Sequence, residues 1–214
     1  MTTGGRSARF VLLVEGIDEQ YALPWLLEAA GIAWPDKAPP VKIVNTKSAS
    51  ELLDRGALEA ELNSPGLEAL GLVVDADRDL AARWDSVRNS FTTLRASFPE
   101  TLDPAGLVHD SEPRIGVWIM PDNIREGMLE TLLNDVRTGD RQLHDHAATA
   151  SAAASSLGAP FKAVHQDKVL LHTWLAWQDP PGQALGTAAK ARALNASAPA
   201  FLPFVAWFRR LYRL

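Results

Sequence analysis

The chain has no cysteine. This excludes a disulfide framework and any thiolate-bound metal, so a metal here would be held by carboxylate oxygen or imidazole. Long apolar runs are also missing, and none approaches the roughly 20 residues of a membrane helix. The opening MTTGGRSAR is short and polar where a signal peptide would be apolar. The expectation is a cytoplasmic protein with no membrane association. The phosphate-cradling pattern G-x-x-x-x-G-K does not occur, so any ATP dependence would have to come from another chain. Bases are outnumbered by acids, 21 against 26 for a net charge of -5, which argues against a simple DNA-coating protein.

What is present suits one sizeable α/β domain with a smaller appendage: 214 residues, 47% hydrophobic, mean hydropathy -0.07. The charge is unevenly spread. From Thr138 onward eight bases face four Asp, which leaves -9 on the first 137 residues, and no acid follows Lys190. Such a division suits an enzyme that holds cations in one place and phosphates in another, and it equally suits an ordinary solvated surface.

The pattern on which the rest is organised is FVLLVEGIDEQY, Phe10 to Tyr21. An apolar run, Phe10 to Val14, stops at Glu15-Gly16, and helical spacing begins at Asp18 and runs to Ala30. That is a buried strand, a tight turn and a helix. Val41 to Val44 predicts a second strand, and Ser48 with Glu51 a capping box that opens a helix from Ala49 to about Leu62. Leu70 to Val74 predicts a third strand ending in Asp75-Ala76-Asp77, followed by a helix from Asp79 to Ser97. After a polar connection, Arg114 to Met120 predicts another buried strand ending in Pro121-Asp122-Asn123, then a helix bearing Glu126 and Glu130. Alternating strands and helices imply a mostly parallel sheet. The division expected is an α/β domain over 1–137 and a helical extension, packed on it as a cap, over 138–214. The latter holds helices at Lys162 to Trp177 and Ala184 to Leu194 and an apolar stripe from Phe201 to Tyr212.

In an open α/β sheet ligands bind at the carboxyl edge, where Glu15, Asp75 and Asp77 stand. An extended Asp75-x-Asp77 would send both carboxylates to one side. Crowded carboxylates repel, and a hard cation such as Mg²⁺ or Mn²⁺ relieves this. Each acid alone is also readable as a helix cap.

Glu15-Gly16 after a buried strand, Asp18 at the next helix, and Asp75-x-Asp77 about 60 residues on resemble the Toprim domain of topoisomerases, primases, recombination proteins and OLD-family nucleases. The later stretches Gly116 to Asn123, Gly127 to Glu130 and His165 to Pro181 resemble small stand-alone Toprim-related proteins, mostly of unassigned activity. The resemblance implies a Toprim-like fold and a divalent-metal-dependent nuclease, a hydrolase of phosphodiesters in DNA or RNA. Glu15 would serve acid/base work or metal binding, and Asp75 and Asp77 would bind the cation. By analogy with OLD-like nucleases, Asp18, Asp122, Glu126 and Glu130 are candidates for a second metal and Lys168 for a catalytic lysine. The resemblance further implies a partner ATPase and a setting in phage defence or nucleic-acid repair.

Only Tyr21 and Tyr212 occur, both on apolar helical spacing, so strand transfer is disfavoured relative to cleavage. Asp79 occupies the place where a haloacid-dehalogenase-like phosphatase needs Thr or Val. The alternative of another class is a non-catalytic binding module acting with a partner protein. Trp174, Trp177 and Trp207 fit base stacking or the core, with the core favoured. The histidines fit structural or surface roles. Arg209, Arg210 and Arg213 fit a phosphate-facing edge or a subunit contact in an oligomer.

Overall fold

The computed structural model describes residues 9–91, 93–94 and 97–214. Strands β1 (Phe10–Val14), β2 (Lys42–Asn45), β3 (Ala69–Asp75), β4 (Leu107–His109) and β5 (Arg114–Met120) form one sheet in the order β2-β1-β3-β5-β4. All neighbours are parallel except β4, which runs antiparallel to β5. The molecule is thus α/β, with a mostly parallel sheet flanked by helices.

Both faces of the sheet are covered, which is why its central strands read as unbroken apolar runs. Leu12, Val14, Val73, Trp118 and Met120 point to one face, and Val11, Leu13, Leu70, Leu72, Val74, Ile115, Val117 and Ile119 to the other. The first face is covered by α1 (Ile17–Ala29), α5 (Leu129–Asp135), α6 (Arg141–Ser156), α7 (Gln166–Leu175), α8 (Leu185–Lys190) and α9 (Leu202–Tyr212). The second is covered by α2 (Ala49–Leu52), α3 (Arg55–Leu62) and α4 (Leu80–Ser90). The residues after 138 therefore share a core with β1 and α1.

The last helix is seated by an absence of side chains beneath it. Gly71 and Gly116 are register partners on β3 and β5. A Cβ on Gly71 would come within 2.5 Å of Tyr212 Oη, and one on Gly116 would run into Leu211. Tyr212 Oη donates to the Val11 carbonyl at 2.7 Å, and Trp207 Nε1 to that of Leu107 at 2.9 Å. Arg209 donates to the carbonyls of Ala30 and Gly31, and Arg210 to those of Ala105 and Gly106. These two arginines pin α9 to the loops around it.

Several elements differ from expectation. The single helix expected from Ala49 to Leu62 is two, because Asp54 accepts from Ala57 N–H and starts a new one. The helix after β3 begins at Leu80, with Asp79 as its cap, and ends at Ser90, short of the expected Ser97; Thr92, Arg95 and Ala96 lie outside the described residues. Strand β4 and helix α6 were not expected at all. The helix at 162–177 narrows to Gln166–Leu175 after a 3₁₀ turn at Ala163–His165, and that at 184–194 to Leu185–Lys190. Tyr21, expected on the apolar stripe of α1, is exposed. Among the described residues no helix is long and apolar enough to cross a membrane.

Candidate functional site at the carboxyl edge

From β1 the chain passes through α1 to β2 on one side, whereas β3 lies on the other side of β1. At such a reversal the connections diverge and leave a crevice beyond the strand ends. Val14 pairs with Val73 in parallel register, so Glu15 and Asp75 leave the sheet at the same edge. Glu15 Oε1 accepts the Asp75 N–H at 2.9 Å, and Asp75 Oδ1 accepts the Leu129 N–H at 3.1 Å. The two strand tips are thereby joined to each other and to the start of α5.

A third carboxylate, unforeseen, joins them. Glu19 is 6% exposed, on the inward side of α1 with Ala22, Leu23 and Leu26. Its carboxylate folds back under Gly16, where a Cβ would come to 2.8 Å from Oε2. Glu130, in the first turn of α5, is a fourth, 3% exposed. Lys168 Nζ lies 2.8 Å from Glu130 Oε1 and is half exposed. Asp167 fixes that lysine in place by tying α7 to α5: it accepts from Thr131 Oγ1 at 2.5 Å, and its carbonyl accepts from Asn134 Nδ2 at 2.9 Å. The resulting cavity, about 190 Å³, is lined by Glu15, Asp18, Glu19, Asp75 and Glu130, with Lys47 and Lys168 on its margin.

The electrostatics follow from crowding acids out of water. Burial pushes Glu19 up to about 7, with Glu130, Glu15 and Asp18 adding to it. Desolvation, then Glu19, Glu15 and Glu130, hold the Asp75 carboxyl well above its usual range. Glu15 is raised by burial and Asp77, against the Asp75 N–H and Arg83. Burial lowers Lys168, but the hydrogen bond and charge of Glu130, helped by Asp18 and Glu19, leave it above its ordinary value. Lys168 is therefore a cation at neutral pH and unsuited to act as a base.

Three of the expected acids are not brought to this cavity. Asp77 has a left-handed backbone, φ 55°, so β3 has ended before it and the alternation that would put it beside Asp75 is broken. Its N–H and carbonyl pair with Gly127 at 2.8 and 2.9 Å, and its carboxylate meets Arg83 Nη2 at 2.8 Å. Asp122 accepts from Ile124 N, Arg125 N and Arg125 Nε, and these outweigh its burial to hold its pKa below the usual value. Glu126 is exposed in the loop before α5, because the helix expected to carry it begins only at Leu129. Trp174 and Trp207 are core residues at 1% and 0% exposure, which removes them as stacking platforms.

Two residues of the cavity escaped the sequence reading. Glu19 had a signal, since it stands four residues before Leu23 and seven before Leu26, a carboxylate on the apolar stripe. Lys47 had none, because its placement depends on a positive φ of 74° after β2. The donors are all hard oxygen, and their mutual repulsion is what a dication relieves, so their chemistry fits Mg²⁺ or Mn²⁺. Among the described residues no three His, Asp or Glu side chains are already arranged to hold a metal ion.

Fold and site define a class: an α/β protein with an acidic pocket at the carboxyl edge of its sheet, where the strand order reverses. The chain belongs to the family described as "Protein of unknown function (DUF3226)", which matches it over residues 9–213. Similar solved structures are the C-terminal regions of two OLD proteins. That of Xanthomonas campestris pv. campestris is 14% identical, with 96% of this chain and 93% of that one covered and a TM-score of 0.45. That of Burkholderia pseudomallei is 12% identical, with 95% and 97% covered and a TM-score of 0.44. No curated protein matches the chain significantly.

Proposed function

We propose that the chain is a divalent-metal-dependent nuclease of Toprim type, or a related phosphodiester-cleaving enzyme. The observation that carries this is the meeting of Glu15, Glu19 and Asp75 in one crevice at the sheet's carboxyl edge, with Lys168 and Lys47 at its margin. Glu15, Glu19 and Asp75 are the residues that would hold Mg²⁺ or Mn²⁺, with Asp18 beside them. The bound ion would supply Lewis-acid stabilisation of a phosphoryl oxygen and a nucleophilic water. Lys168 spends one of its three N–H donors on Glu130. The others are free to offset charge gathering on a phosphate. A partner ATPase and a setting in phage defence or nucleic-acid repair belong to the same reading.

A second reading, a non-catalytic module acting with a partner protein, is favoured by the pairs already made: Glu130 with Lys168 and Asp77 with Arg83. Cleavage assays on single- and double-stranded DNA and on RNA, with Mg²⁺ or Mn²⁺, decide between the two. The nuclease reading expects activity from the wild type, its loss in Glu15→Gln and Asp75→Asn, and a smaller loss in Asp77→Asn. Silence of wild type and variants alike on every substrate favours the module.

A further inference from the structure

We propose that the groove between α2 and α4 seats the sugar-phosphate backbone of a nucleic-acid strand; this names the substrate surface of the nuclease reading and rests on it. The groove has a volume of about 600 Å³, and among the described residues none that lines it is acidic. It carries two guanidinium groups, Arg55 and Arg83, and the small polar side chains Ser48, Ser50, Ser86 and Asn89. In a chain of net charge -5, the groove is lined by cationic and neutral polar groups, with one arginine, Arg55, in no ion pair among the described residues, and its donors suit phosphate oxygens. Arg55 and Ser86 are exposed. Arg83 engages Asp77 through Nη2, and its Nε is buried without a hydrogen-bond partner.

Two covalent or ionic steps connect this groove to the acidic crevice. Lys47 lines the crevice and the next residue, Ser48, lines the groove. Arg83 lines the groove and holds Asp77, and its charge also acts on Glu15. A strand lying in the groove is thereby led past Lys47 to Glu15 and Asp75. Among the described residues no aromatic side chain lines the groove, so bases find no stacking platform there and contact is with the backbone, independent of sequence.

The test is fluorescence anisotropy of labelled DNA and RNA strands of mixed sequence, roughly 20 nucleotides long, with the full chain in EDTA, across a salt series. Arg55→Glu and Ser86→Glu are expected to weaken binding by on the order of tenfold or more. Arg55→Ala is expected to reduce the slope of log K against log salt by about 0.7. Arg141→Glu, at an exposed side chain in the first turn of α6, is the control and should bind as wild type does. Wild type that binds neither strand overturns the groove, as do groove variants that bind as tightly as wild type. Because no metal is present, the two readings fail separately. Binding lost in Arg55→Glu without any metal-dependent cleavage sinks the nuclease and keeps the groove; cleavage abolished by Glu15→Gln but untouched by Arg55→Glu and Ser86→Glu does the reverse.

Discussion

At the residue scale, Glu19 sits where a helix facing a sheet would ordinarily place an aliphatic side chain. Its folded pKa of about 7 exceeds the ordinary 4.5. Between those values the folded chain holds a proton that the unfolded chain has released, so unfolding free energy falls as pH rises through the window. The shift corresponds to about 3 kcal/mol for this one group. Urea titrations in chelator at pH 5 and pH 8 should show the wild type less stable at pH 8, and Glu19→Gln should show a smaller drop. An equal drop in both would mean that Glu19 is solvated. Asp77 teaches the opposite lesson about reading residues. Two aspartates one residue apart are side by side only while the backbone stays extended, and a single left-handed residue turned the second away to Arg83.

Among the elements, the central strands were legible because burial on both faces leaves little but apolar residues in β1, β3 and β5. Helix α6 was not. Only Ala147 and Ser151 along it are buried, so its Ala- and Ser-rich sequence shows no stripe, although Asp140 caps it by accepting from Gln142 N–H. Strand β4 is three half-buried residues held to β5 at the sheet's edge, too short for any alternation to appear. The break between α2 and α3 rests on one cap, Asp54. Helix α9 lies close on the glycines of β3 and β5, and that contact is directly testable. Gly116→Val places methyl groups where Leu211 already lies, and overpacking of this kind costs about 1–3 kcal/mol or more. Thermal unfolding should show a lowered midpoint, whereas Gly139→Ala, at a position with nothing near its Cβ, should lose only the smaller cost of its positive φ.

For the whole molecule, topology did what no local pattern could: it brought residues 15, 19, 75 and 130 to one edge. Of the acids singled out from the sequence, Glu15, Asp18, Asp75 and Glu130 line the cavity, whereas Asp77, Asp122 and Glu126 lie outside it, since turn and loop geometry decides where those three point. A cation bound there stabilises the folded state by mass action. At about 100 times its dissociation constant the gain is about 2.7 kcal/mol, roughly 5–10 °C for a chain of this size. Melting curves with Mn²⁺ against EDTA should show that rise in wild type, in Asp122→Asn and in Glu126→Gln, and its loss in Glu15→Gln and Asp75→Asn. A rise that survives Asp75→Asn would put the ion elsewhere.

Helix α9 closes the face of strands that were all synthesised before it. At ~5–20 residues per second, roughly 4–16 s separate Met120 from Leu202 leaving the ribosome's catalytic centre. Until α9 is made, Gly71 and Gly116 lack the Leu211 and Tyr212 side chains that fill the space above them.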